Sequence, residues 1–147
     1  MSSPKSIILE DGRAMHYSVG ALVERNSNNS IEYFLIDRGT WPYGYAGVAG
    51  HVDEGERPEN ALMREVSEEV GMTVSGYELI REGMLDWNKC NKGVGVHYWY
   101  LYRCKVDGPV KLSKREAKSF GWYDVDEIRE LELEEVWKYW FEDLGIL

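Results

Sequence analysis

Between Ala49 and Met72 the chain reads AGHVDEGERPENALMREVSEEVGM, which places seven carboxylates in 24 residues. Glu65, Glu68 and Glu69 crowd around a single arginine, Arg64, while Leu62, Met63, Val66 and Val70 recur at helical spacing. Each helical residue turns roughly 100° from the last, so the apolar residues share one buried stripe. Glu65 and Glu69 fall just outside its edge and Glu68 lies further round, which makes the three carboxylates one contiguous ridge. Like charges at this spacing repel by roughly 0.2–0.5 kcal/mol per pair in water, and by more in a cleft of lower dielectric. A divalent cation reverses the sign of that repulsion. Mg²⁺ takes hard oxygen ligands, keeps several waters and bridges carboxylates to phosphates. Two such ions on one ridge would orient an anionic diphosphate and lower the pKa of an attacking water. The plain alternative is a solvated helix face on which Arg64 pairs with Glu68 at i+4, the usual fate of a charge run.

The elements around the ridge follow from local patterning. Pro58 suits a first helical position and Gly71 a C-terminal stop, so the acidic helix runs from Pro58 to Val70. Before it come an apolar run from Ile7 to Leu9, a turn at Asp11-Gly12 and a strand from about His16 to Glu24. A loop over Arg25 to Ser30 (RNSNNS) leads into a buried strand from Ile31 to Ile36. WPYGYAGVAG, from Trp41 to Gly50, reads as a loop or irregular strand that approaches something closely. After the helix, strands from Met72 to about Leu85 and from Val94 to about Val106 flank a polar link, Asp86 to Gly93. In the second, both alternating sets of residues are bulky, as a strand packed on two faces requires. A basic loop around Lys111 to Lys118 precedes a short strand, FGWY, from Phe120 to Tyr123. Asp124 or Asp126 caps a helix reaching about Leu131, and an amphipathic helix spans about Glu134 to Leu144. This order predicts an α/β (α+β) class, a mixed sheet with helices on its faces, in one domain over residues 1–147.

The formal net charge of -9 and a pI near 4.9 argue against broad electrostatic binding to a nucleic-acid polymer or an anionic membrane. An anionic substrate then needs local help, such as a metal. Cys90 and Cys104 lack metal-ligand spacing and read as reduced thiols, with a bridge between them as the minor alternative. The N-terminal residues show no signal-peptide core, and no stretch approaches the length of a membrane span, so the expected setting is the cytoplasm. His16, His51 and His97 are isolated from one another in sequence and none is assigned to a metal; His51, directly after Gly50, stands nearest the ridge.

The wider pattern sharpens the choice. From Gly50 the chain reads G, five residues, Glu56, seven residues, Arg64-Glu65, apolar Val66, any residue, Glu68-Glu69, any residue, Gly71, apolar Met72. This resembles the signature of the Nudix hydrolase family at every fixed position, a coincidence on the order of one in ten million for average residue usage. The resemblance implies a Nudix fold, a mixed sheet sandwiched between helices, and hydrolysis of a nucleoside diphosphate linked to another moiety. It implies Mg²⁺ or Mn²⁺ as cofactor, more than one ion with substrate bound. Glu65, Glu68 and Glu69 would be metal ligands, and Glu56 would fix Arg64 by an ion pair that braces the loop against the helix. Family members often recruit a further glutamate from a loop before a strand that carries a tryptophan; Glu116, six residues before Trp122, resembles that position. Glu116 or Glu65 would serve as general base or hold the metal whose water attacks phosphorus. Many members carry Pro-Gly-Gly where this chain has Val48-Ala49-Gly50, so the stiffness of the entry turn differs.

Substrate marks are mostly negative. Hydrolases of ADP-ribose in the family tend to carry a proline where Trp87 stands here, and dinucleoside polyphosphate hydrolases a tyrosine where Asn88, Lys89 and Cys90 stand. A compact chain with 6 Trp, 10 Tyr and 3 Phe leans toward a nucleoside triphosphate or similar small nucleotide. Trp41, Tyr43, Tyr45 and Trp87 are candidates to stack on a base, and Lys111, Lys114, Arg115 and Lys118 to steer phosphates. The alternatives are hydrolysis of ADP-ribose, a nucleotide sugar or a non-nucleoside diphosphate, and a non-catalytic module that senses a nucleotide. A homodimer is the family-based expectation.

Overall fold

A computed structural model describes residues 3–147. Its spine is a long strand, β2 (Ala14–Ser27), preceded by β1 (Ser6–Ile8) and followed by β3 (Ser30–Arg38), β4 (Tyr45–Ala46) and β5 (Val48–His51). Then come α1 (Pro58–Val70), β6 (Thr73–Leu85), β7 (Val96–Asp107), β8 (Ala117–Tyr123), α2 (Val125–Arg129) and α3 (Glu135–Asp143). The sheet is mixed: β2 runs parallel to β7, and the other pairings are antiparallel.

The acidic helix has the bounds that its sequence predicts. Pro58 sits at its first turn, and Gly71 closes it in the left-handed region at φ 70°, donating its N–H to the Ser67 carbonyl. The tract RNSNNS departs from the expected loop. Strand β2 continues to Ser27 and β3 begins at Ser30, because Asn28 and Asn29 both adopt positive φ (49° and 65°) and turn the chain in two residues. Asparagine tolerates that region, and such a turn matches the twist of a hairpin. Asp124, rather than Asp126, caps α2: its carboxylate accepts from the Glu127 N–H, and the Glu127 side chain accepts from the Asp124 N–H.

Alternation along the central strands feeds two cores. Val19, Ala21 and Val23 of β2, Phe34 and Ile36 of β3, and Tyr102 and Cys104 of β7 pack with Leu62, Val66 and Val70 of α1. Leu22, Tyr33, Leu35, Trp99 and Leu101 point to the other face and pack with Trp137, Trp140 and Phe141 of α3. The helices therefore sandwich the sheet, and burial of both faces is what holds α1 in place beside β5. Among the described residues no helix is long and apolar enough to cross a membrane.

Candidate active site

The loop between β5 and α1 is organised by Arg64. Its Nε donates to Glu56 Oε2 at 2.8 Å and its Nη2 to Glu56 Oε1 at 3.0 Å, a two-pronged pair. Nη2 also donates to the His51 carbonyl at 2.8 Å, and Nη1 donates to Glu65 Oε1 at 2.8 Å and to Glu68 Oε2 at 3.3 Å. The backbone N–H of Asp53 donates to Glu56 Oε1 at 3.0 Å and closes the loop on itself. One guanidinium thus ties the end of β5, the loop and the ridge together. Bonding to Arg64 holds the Glu56 carboxyl below its ordinary value, and the same partnership raises Arg64. The i+4 pair of Arg64 with Glu68 is present, but as the longest of its hydrogen bonds, and Arg64 Nη2 also pairs with Asp53 Oδ2 at 3.4 Å.

Gly50 is required by the ridge. A Cβ at that position would run into the Glu65 carboxylate, so only a glycine lets α1 seat this side chain against β5. The carboxyl of Glu65 is pushed up to about 7, chiefly by burial; Arg64 opposes the rise, and Glu68 and Glu116 add to it. Glu69 is raised well above the usual carboxylate range, again by burial first and then by Glu65 and Glu116, with Arg38 and the Ala49 backbone N–H opposing. Only 4 % of Glu69 is exposed, and its Oε2 has no hydrogen-bond partner among the described residues. A buried acceptor without a donor, beside two more carboxylates, is costly unless a cation meets it. These residues fit a hard divalent ion.

Glu116 reaches the ridge through backbone contacts. The Lys111 N–H donates to the Val70 carbonyl at 2.8 Å and the Ser113 N–H to the Glu69 carbonyl at 2.9 Å, which lays this segment along the end of α1. The Glu116 N–H donates to the Ser113 carbonyl at 3.0 Å, and the Glu116 carbonyl accepts from Gly39 N–H at 2.9 Å. Glu65, Glu68, Glu69 and Glu116 then line one open cleft of about 530 Å³. Arg38, Lys89 and Lys92 supply cationic edges to it. Lys111, Lys114, Arg115 and Lys118, expected to steer phosphates, are not part of its lining.

The aromatic candidates for base stacking are not among the residues that line the cleft. Trp41, Tyr43, Tyr45 and Trp87 are absent from the cleft wall, which takes Pro42, Trp99 and Trp137 instead. Trp87 meets Tyr139 edge to face, and Tyr43 lies under the Lys118 ammonium at 5.7 Å. Trp99 and Trp137 are core residues of the α3 face that reach the cleft at one edge, which no local pattern distinguishes from packing.

A NUDIX domain model matches residues 14–144. The chain belongs to the NUDIX domain family. It is 30% identical over 113 residues to the asymmetrical bis(5'-nucleosyl)-tetraphosphatase of Sus scrofa, covering 75% of this chain and 76% of that protein. It is 25% identical over 126 residues to an RNA pyrophosphohydrolase of Vibrio vulnificus, covering 76% of this chain and 71% of that one. Among solved structures, a MutT NUDIX hydrolase from Burkholderia pseudomallei superposes with a TM-score of 0.73 at 21% identity, covering 87% of this chain and 96% of that chain. The Nudix chain is a hydrolase of diphosphate bonds in nucleotide derivatives, built on the mixed sheet and flanking helices that its sequence predicts.

Proposed function

We propose that this Nudix hydrolase is Mg²⁺- or Mn²⁺-dependent and cleaves a nucleoside triphosphate or similar small nucleotide. Glu65, Glu68, Glu69 and Glu116 would hold the ions, more than one with substrate bound. The observation that carries this reading is Glu69, a buried carboxylate whose Oε2 has no donor among the described residues and whose neighbours Glu65 and Glu116 carry the same charge. When bound, such ions neutralise phosphate charge and lower the pKa of an attacking water. The chain's own residues supply the rest. Arg64, held by Glu56, fixes the height of Glu65 over Gly50 and acts as a positioning residue. Arg38, Lys89 and Lys92 face the polyphosphate from the cleft edge. The proton of the attacking water goes to Glu116, which pairs with no cation among the described residues, whereas Glu65 is tied to Arg64 at 2.8 Å.

A second substrate reading, a dinucleoside tetraphosphate, is favoured by the likeness to the porcine tetraphosphatase. A panel of nucleoside triphosphates, dinucleoside tetraphosphates, 5'-triphosphate RNA, ADP-ribose and nucleotide sugars, run with Mg²⁺ and with Mn²⁺, separates these readings. The expected result is cation-dependent turnover of a nucleotide carrying three or more phosphates. In the same assay Glu116→Gln should lower kcat even at saturating ion, beyond any loss of ion affinity. Loss of ion affinity without a change in kcat at saturating ion would assign Glu116 to the metal alone.

A further inference from the structure

Three histidines that are far apart in sequence meet on one side of the sheet. His16 of β2 is the direct register partner of His97 of β7, and His51 of β5 pairs opposite Ser18 of β2. Residues 16 and 18 share a face of β2, so the three imidazoles converge. Their ring centroids lie 4.8 Å (His16–His51), 6.0 Å (His16–His97) and 5.8 Å (His51–His97) apart. The link between β6 and β7 then folds back over them. Cys90 N–H donates to the Val94 carbonyl and Gly93 N–H to the Cys90 carbonyl, each at 2.9 Å, a tight turn that presents the Cys90 thiol to the cluster. One ligand atom from each of His16, His51, His97 and Cys90 lies within 4.8 Å of the others.

Three of the six ring nitrogens of this cluster are buried without a hydrogen-bond partner among the described residues. His97 is 1 % exposed, and neither of its ring nitrogens has a hydrogen-bond partner among the described residues; Nδ1 of His16 has none either. A histidine kept only for packing would give its N–H to a carbonyl, since buried donors are nearly always paired. Burial also keeps the imidazoles neutral, the form that ligates: His51 is pushed down to about 3 and His97 to about 4, and His16 is lowered as well. The Asn88 backbone lies close enough to His97 to oppose this slightly, without meeting hydrogen-bond geometry. Cys104 takes no part: it is buried in the α1 core, its thiol facing the Tyr102 carbonyl at 3.7 Å.

We propose that His16, His51, His97 and Cys90 form a second metal site, separate from the carboxylate ridge, that holds one zinc-class ion. Thiolate and imidazole ligands select Zn²⁺ over the hard, oxygen-seeking Mg²⁺. Tetrahedral bonds of about 2.0–2.3 Å place ligand atoms about 3.3–3.8 Å apart, so a contraction of about 1 Å closes the cluster on an ion. Four protein ligands leave no open position, which makes this a holding site rather than a hydrolytic one. Its effect is on shape. The ion would pin the turn that carries Asn88, Lys89, Asn91 and Lys92 to the cleft wall. Through His51, whose carbonyl accepts from Arg64, it would also brace the entry loop of the ridge.

The test uses the full chain stripped with a chelator and titrated with Co²⁺ in saturating Mg²⁺. One equivalent should develop thiolate-to-cobalt charge-transfer absorption together with intense tetrahedral visible bands, and Zn²⁺ should displace both. Cys90→Ser should lose the charge-transfer absorption, while Cys104→Ser and Glu68→Gln keep it. His16→Gln should weaken Co²⁺ binding at least about tenfold. Zn²⁺ should raise the Tm of the wild-type chain and not that of Cys90→Ser. Absence of the charge-transfer band, its persistence in Cys90→Ser, or its loss in Glu68→Gln would overturn the site.

Discussion

At the scale of the residue, the proposed metal ridge rests on one buried carboxylate and one arginine. Glu69 brings an unpartnered oxygen to the cleft, and Glu65 brings a carboxyl that burial has lifted to about 7. Replacing either Glu68 or Glu69 with a neutral isostere, Glu68→Gln or Glu69→Gln, should lower turnover by about 100-fold or more, read as initial rates on a chain whose circular dichroism is unchanged. Glu65 also makes stability depend on pH. Its carboxyl prefers the protonated form in the folded chain, so its contribution is complete below the ordinary value of 4.5 and is lost as pH rises through about 7. The buried histidines act oppositely, losing stability as pH falls below 6.5. They cancel when Glu65→Gln is compared with wild type, because both chains carry them. In chelator, the Tm of Glu65→Gln relative to wild type should therefore climb between pH 4.5 and 7 and level off above, and saturating Mg²⁺ should flatten the difference. A difference that is flat in chelator would contradict the buried state of this carboxyl.

At the scale of the element, local signals were legible and non-local ones were not. The bounds of α1 could be read because Pro58, Gly71 and the apolar stripe all act within the helix. The Glu56–Arg64 brace is visible in the sequence only through the family resemblance, since eight residues separate the partners and a loop must fold to join them. RNSNNS misleads because turn-forming residues also fill a two-residue hairpin, where strand pairing rather than composition decides. The aromatic stretch from Trp41 to Gly50 does approach something closely: the Leu133–Glu134 backbone at Gly44, the Trp137 ring at Gly47 and the Glu65 carboxylate at Gly50. Gly50→Ala should displace Glu65 and weaken Mg²⁺ activation by about tenfold or more, whereas Gly76→Ala, at an open position of β6, should leave it unchanged. Equal activation constants for the two variants would show that the close approach does not matter.

At the scale of the whole molecule, the sheet brings together what the chain keeps apart. Parallel pairing of β2 with β7 sets His16 beside His97, and the 110–116 segment carries Glu116 to the end of α1. No window of sequence contains either juxtaposition, so isolated histidines offered no signal before the register was known. The same assembly leaves the stacking candidates Trp41, Tyr43 and Trp87 outside the cleft lining, although Trp41 and Trp87 adjoin Pro42 and Asn88, which do line it. The cleft is instead acidic on one wall and cationic at its edge, an arrangement suited to an ion-bound polyphosphate. The direct measurement is hydrolysis of the nucleotide panel by wild type and Glu69→Gln, with chelator, Mg²⁺ or Mn²⁺. The predicted result is turnover of a nucleotide polyphosphate that chelator abolishes, Mg²⁺ restores and Glu69→Gln loses while remaining folded. Nucleotide binding without turnover under any ion, or full activity of Glu69→Gln, would contradict it.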